Sequence, residues 1–521
     1  MKFKDLVETD IEYLTRLCFR QCSHEEKVRE GATKYNVSER TIRKWWDNLG
    51  LKNKSKQLPK QLIEASKRTL NKDTKIVLVT AVQNKTHINL DFWKNLNVYK
   101  DYLETKLGNK TEIVVIPTRY RNPTSNIESE QTKDLDFWSE EVEDNLFYGQ
   151  VKFGNTLISA NSRISPTAKD PLNGYEILAN NNHLILGHSK IHFKTLPRLR
   201  GENLITMAST GYLSSKNYSD SKAGQVAFEN HSYGFVIVEE GLVPRNVKVK
   251  SDGSFIDLIY SVNESVSLIE SSEGLVWGDL HTRQLNKEVY NKTKELSSIL
   301  KPKIHVLHDV FDGSTVNPHE TKDMFIQRLK ISEGQHLIED EVNECLDVIK
   351  DLKDCCGNVV VVESNHDNFL QRFIDNENWK KDLHNSPAYL KYALIQQTVD
   401  LRDHGNVFGY LLNEIGVGYI KMGNSFKLMD YEVGQHGDFG SNGSRGSAQG
   451  FNRLNRKMIH GHTHSPVLIN NVTTVGVSCN LNQYYNRKGL SSWAYAHSVV
   501  HSNGKNQLLV FDDNLVISKL I

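Results

Sequence analysis

The sequence predicts an α/β protein with a helical front end, and three patterns carry that expectation. Short β-branched runs of the buried parallel type, such as Ile76-Val77-Leu78-Val79 and Val359-Val360-Val361-Val362, alternate with longer amphipathic segments. Polar residues with metal-binding side chains follow four such runs directly, at the carboxyl ends where α/β sheets place their sites. The first fifty residues carry helix-start and helix-stop signals and no such run. At 521 residues the chain exceeds one core, so several domains are expected. A hydrophobic fraction of 38% with 24% charged residues fits a globular chain and excludes a disordered one.

Residues 1–52 read as a basic helical domain. Ser23 caps a helix running to about Tyr35, and Asn36-Val37 makes a short turn. Ser38 caps a second helix from Glu39 to Leu49, closed by Gly50. Ala32, Tyr35, Val37, Ile42 and Trp45 are spaced to bury one face, with Ala32 as the small residue at the crossing. The pattern is that of a helix-turn-helix, with Arg40, Thr41, Arg43 and Lys44 on the exposed recognition helix. Residues 1–75 hold 18 Lys/Arg against 11 Asp/Glu, a net of +7, and the remainder carries −6. A basic front on a slightly acidic body suggests a nucleic-acid-facing end, with a solvated helical surface as the alternative; the helix-turn-helix pattern makes DNA the expected partner, with a basic hairpin used for oligomer contacts as its alternative.

Residues 53–74 form a linker with a helix. Residues 75–270 form a further α/β domain of unassigned role, beginning with strand, helix (Asp91 to about Leu107) and strand (Ile113–Ile116). No glycine fingerprint follows the first strand, so dinucleotide binding is unsupported. Thr118-Arg119-Tyr120-Arg121-Asn122-Pro123 leaves the second strand at its carboxyl end, where two arginines suit phosphates and an ordinary surface loop is the alternative.

Residues 271–521 carry the chemistry. Asp279-Leu280-His281, His308-Asp309-Val310-Phe311-Asp312, Ser364-Asn365-His366-Asp367, Gln435-His436-Gly437-Asp438 and Gly461-His462-Thr463-His464 occur in that order. Helices at about Leu285–Leu300 and Thr321–Lys353 fill the crossovers. Each motif alone is weak; together they supply enough carboxylate, amide and imidazole ligands for two adjacent divalent cations. The six cysteines form no paired CxxC pattern, so reduced thiols are expected. No apolar run is long enough to span a bilayer, and no signal core follows Met1-Lys2-Phe3-Lys4-Asp5. The expectation is a cytoplasmic chain without a membrane partner.

The motif series resembles that of the calcineurin-like metallophosphoesterases, whose pattern is DxH, GDxxD, GNHD or GNHE, a lone His, then GHxH. The resemblance covers roughly the last half of the chain and implies a β-sandwich flanked by helices (αββα) for residues 271–521. It implies that Asp279, His281 and His464 bind one metal, that Asn365, His436 and His462 bind the other, and that Asp309 bridges them. The implied metals are Mn²⁺ first, with Mg²⁺, Fe²⁺ or Zn²⁺ as alternatives. His366 is the implied general acid, oriented by Asp312. His308 and Ser364 stand where the family has glycine, and His308 could add a phosphate donor. Arg283 and, in a Gly/Ser-rich loop, Arg445 are candidate substrate contacts. The layout also resembles the early DNA-transfer, host-DNA-degrading DNases of tailed bacteriophages, which implies a host cytoplasmic setting. The expected function is a metal-dependent DNA nuclease. A phosphomonoesterase or protein phosphatase is the alternative, as is a non-catalytic DNA-binding regulator; a homo-oligomer stays open.

Overall fold

The computed structural model describes residues 6–19, 24–49, 59–120, 136–317, 320–376, 378–483, 486 and 488–512. Two compact units result, Met1–Glu64 and Ala65–Ile521. The expected cap Ser23, the linker residues 53–58 and Arg121 lie outside the described residues.

In the first unit, helices Glu8–Phe19, His24–Tyr35 and Glu39–Asn48 close around Leu14, Leu17, Val28, Ile42, Trp45 and Trp46. The buried Trp46 indole donates to the Leu14 carbonyl at 3.1 Å, so its polar edge is satisfied inside the core. The turn is made by Asn36 at φ 48° and a bond from the Val37 amide to the Ala32 carbonyl. Ser38 accepts from the Thr41 amide at 3.2 Å and starts the third helix as expected. The small residue at the crossing is Gly31 rather than Ala32: a Cβ on Gly31 would lie 3.2 Å from Leu17 and 3.3 Å from Ile42.

The second unit is mixed α/β. Its six-stranded sheet runs in the order Gly418–Ile420, Val359–Val362, His305–His308, Gly274–Val276, Tyr495–Val500, Asn506–Phe511. The first four strands are parallel and the last two antiparallel. Alternation explains the layering. Leu275, Leu307 and Val361 face helices Lys287–Leu300 and Ile338–Cys356. Their neighbours Val276, Val306 and Val362 face Tyr431, Val433, Ile459 and Val475 beneath a second sheet. The long helix expected over Thr321–Lys353 is two helices, Met324–Ser332 and Ile338–Cys356, broken at Gly334 with φ 70°.

That second sheet has ten strands and crosses the expected boundary at 270/271. Strands Lys427–Leu428, Tyr431–Glu432, Met458–His460, Val472–Thr474 and Val467–Ile469 continue into His192–Thr195, Thr206–Ser209, His183–Leu186, Thr156–Ser159 and Gln150–Phe153. The join is antiparallel, with Leu468 opposite Phe193. Residues 75–270 and 271–521 therefore share a sheet and are not separate domains. The strand–helix–strand start is as expected, with Ile76–Gln83 parallel to Thr111–Thr118, but antiparallel Gly234–Glu239 and Arg245–Lys248 complete that sheet. Among the described residues, no helix is long and apolar enough to cross a membrane.

Candidate metal centre

The five motifs meet at the strand ends of the two facing sheets. Asp279, Asp309 and Asn365 leave strands of the six-stranded sheet, and His436, His462 and His464 leave strands of the ten-stranded sheet. One ligand atom each from Asp279, His281, Asp309 and His464 lies within 4.8 Å of the others, and all four residues are buried. His464 Nε2 is 3.2 Å from Asp279 Oδ2 and 3.2 Å from His281 Nε2. The second expected set is joined by pairs: His436 Nε2 lies 3.2 Å from Asp309 Oδ2, His462 Nδ1 lies 3.1 Å from Asn365 Oδ1, and the His436 and His462 rings are 5.2 Å apart. Asp309 thus touches both sets, since its Oδ2 is also 3.6 Å from His281 Nε2.

Backbone strain marks the same place. His281, Asp309, His462 and His464 all adopt positive φ, at 46°, 46°, 74° and 61°. This region is costly for residues with a Cβ and clusters at functional sites. Gly461 is required for close approach, because a Cβ there would lie 2.1 Å from Asp279 Oδ1. His308 and Ser364 do not adopt positive φ, so replacing glycine there costs no strain. Ser364 instead joins a reciprocal cap, its amide donating to Asp367 Oδ2 at 3.0 Å and its hydroxyl accepting from the Asp367 amide.

The donor set fits divalent cations. Asp279 Oδ1, Asp309 Oδ1 and both ring nitrogens of His436 are buried without a hydrogen-bond partner. His436 Nε2 sits close to Asp309 yet misaligned for a hydrogen bond, as lone pairs aimed at a common point would be. A buried carboxylate oxygen left without a donor costs about 1–3 kcal/mol, which a bound cation would offset. Burial opposes charge on Asp309, but His436 and His366 hold it well below the usual carboxylate range. Burial likewise opposes charge on His281 and His436, and the neighbouring Asp312 and Asp309 carboxylates outweigh it, raising each to about 9. A cation must displace those protons, so its binding weakens as pH falls.

Asp312 and His366 meet, though not as expected. His366 Nδ1 donates to the Asp312 backbone carbonyl at 2.7 Å, while the Asp312 carboxylate accepts from His281 Nδ1 at 3.1 Å. The carboxylate therefore orients His281, one of the residues that could hold a metal, leaving its Nε2 turned to the cluster, and the carbonyl orients His366. Arg283 has its guanidinium engaged by Glu344 at 2.9 Å and by the Gln335 carbonyl at 2.7 Å. His308 is fully buried beside His436, with burial pushing its imidazole down to about 3. Arg445 is exposed on its loop, where its backbone pairs with Phe439.

Two neighbours escaped the sequence reading. Asp438 has a buried, unpartnered Oδ2 and helps raise His436; its place in the His436 motif was the available signal. Trp493 stands edge-on to His464 with centroids 4.2 Å apart, and no motif surrounds it. Trp493 also lines a cavity of about 630 Å³ with Arg198 and Arg200.

With this geometry in place, similarity to known proteins adds a family. The chain is 30% identical over 468 residues to protein A1 of Escherichia phage T5, covering 84% of this chain and 82% of that protein. The chain belongs to the phage T5 protein A1 family. No family model and no solved structure matches it.

Proposed function

We propose that this protein A1 family member is a divalent-metal-dependent phosphodiesterase of the calcineurin-like metallophosphoesterase type, and that its substrate is DNA. The observation that carries the reading is the meeting of Asp279, His281, Asp309, Asn365, His436, His462 and His464 with buried carboxylate and imidazole atoms left unpartnered. A pair of cations there, Mn²⁺ first and Mg²⁺, Fe²⁺ or Zn²⁺ otherwise, would supply Lewis-acid polarisation of the phosphate and acidify a water.

The chain's own groups do the rest. Asp279, His281 and His464 hold one side of the centre, Asn365, His436 and His462 the other, and Asp309 lies between them. The water oxygen forms the new P–O bond as the bond to the leaving oxygen breaks, and the water proton passes to solvent. His366 gives its proton to the leaving oxygen. Because Nδ1–H is fixed on the Asp312 carbonyl, Nε2 is the atom that delivers it. The Asp312 carboxylate keeps the His281 ring in register. DNA, rather than a small phosphoester, is favoured by the N-terminal three-helix unit, whose third helix exposes Arg40 and Lys44. On that helix Thr41 is taken up by the Ser38 cap and Arg43 pairs with Glu39 at 3.2 Å.

Plasmid DNA incubated with the purified chain and Mn²⁺ should be nicked or degraded, and EDTA should stop the reaction. Hydrolysis of p-nitrophenyl phosphate with DNA left intact would make the chain a phosphomonoesterase. A gel shift without cleavage across a metal series would remove the enzymatic reading and leave a DNA-binding regulator.

A further inference from the structure

A cavity of about 790 Å³ opens beside the proposed proton donor. Phe369 and Phe373, both buried, form part of its wall, and Val316 and Ile331 add apolar surface. The Phe369 ring lies 5.0 Å from the His366 ring, so the cavity begins one side chain away from that imidazole. Lys322, Arg372 and Lys381 bring positive charge to the same cavity, with the Arg372 guanidinium 5.3 Å from the Phe369 ring centroid. Asp382 is the one carboxylate among its described lining residues, and it accepts from the Asn385 side chain at 2.7 Å. His336 and His384 meet edge-to-face at 5.1 Å on the lining, and His336 Nδ1 is buried without a partner.

Aromatic surface next to several cations is the combination that single-stranded nucleic acid needs: rings for base faces, cations for phosphates. The volume falls in the range of sites that enclose a small ligand. Position narrows the choice. His366 protonates the oxygen that departs, so the group departing with that oxygen must lie on the His366 side of the centre. We propose that this cavity seats the nucleoside on the leaving side of the cleaved phosphodiester, with the next phosphate of the strand held by Lys322, Arg372 and Lys381. This rests on the nuclease reading and deepens it. The substrate is then a polynucleotide that continues beyond the scissile bond, and a base held by its face is read with little regard to sequence.

The test uses the full chain with Mn²⁺ and the variant Lys322→Ala/Arg372→Ala/Lys381→Ala, which alters three exposed side chains. Two substrates are compared, a single-stranded oligonucleotide and bis(p-nitrophenyl) phosphate, a diester without a nucleoside. The ratio of kcat/KM for the oligonucleotide to that for the small diester is expected to fall about tenfold or more in the variant, as loss of phosphate contacts requires. An unchanged ratio overturns the seating. If the wild type cleaves neither substrate, the nuclease reading fails by itself. Fluorescence anisotropy of a labelled thymidine dinucleotide in EDTA then decides: affinity about tenfold weaker in the variant supports the seating, and equal affinity overturns it.

Discussion

Two clusters in the second unit both bury carboxylates among polar side chains and differ in how their atoms are partnered. One is built on Arg245 and Asp257. Arg245 donates from Nε and one Nη to the two Asp257 oxygens at 2.9 and 2.8 Å, and from its other Nη to Glu239. Tyr99 and Gln507 add donors to Asp257, each at 2.8 Å. No side-chain polar atom of Arg245, Asp257, Tyr99 or Gln507 is orphaned. The other cluster is the candidate metal centre, where Asp279, Asp309 and His436 keep buried atoms without partners. Buried charge alone therefore does not mark a site. A closed network holds the fold, and an open one has room for something the chain does not itself provide.

Substitutions should separate the two clusters, and the largest effect belongs to the open one. Asp309→Asn removes the carboxylate that touches both ligand sets, so both cations should be lost together and kcat/KM should drop on the order of 10³-fold or more. Metal content per chain checks this; loss of one cation with retention of the other would show that Asp309 does not bridge. Asp257→Ala should act the other way, costing about 3–5 kcal/mol of stability because it takes from the buried Arg245 one of its two carboxylate partners and strands two of its donors. Denaturant unfolding reads that cost, and metal content per folded chain should stay level. If metal content also collapses, the clusters are not independent. His366→Ala should then fall between the classes, keeping metal and stability while losing about 10²–10³ in kcat. Metal loss in that variant would make His366 a ligand.

The same contrast explains what the sequence made legible. Asp279, His281, Asp309, Asn365, His436, His462 and His464 could be read because four of their five motifs close an apolar strand-forming run, the His436 motif keeps its place in the series, and their side-chain chemistry announces itself. Partner choice could not be read. Nothing in the order of residues says that the Asp312 carboxylate turns to His281 while its carbonyl takes His366, because that depends on rotamer and backbone direction. Arg283 looked available because Glu344 lies 61 residues away and meets it only once Ile338–Cys356 has packed. The shared ten-stranded sheet was hidden for a related reason. Its join is a three-residue pairing between Val467–Ile469 and His192–Thr195, and strands that short carry no signature of their partner. The helical front end was legible because its turn and its core both lie within a few dozen residues.

The smallest expected effect lies on the surface of that front end, where exposed charge replaces buried charge. Arg40 and Lys44 lie one turn apart on Glu39–Asn48 and both are exposed, whereas Arg43 is held by Glu39. Replacing Arg40 and Lys44 with Ala should leave folding, metal content and hydrolysis of a small diester as they are. What should change is the salt dependence of DNA affinity: the slope of log K against log salt should lose about two, close to one per phosphate contact. Arg43→Ala should change the slope less, because its charge is already partly answered within the helix. Titrations of duplex DNA at several salt concentrations distinguish these cases. If the double variant keeps the wild-type slope, this helix does not face the phosphate backbone, and the basic charge of residues 1–75 serves another surface.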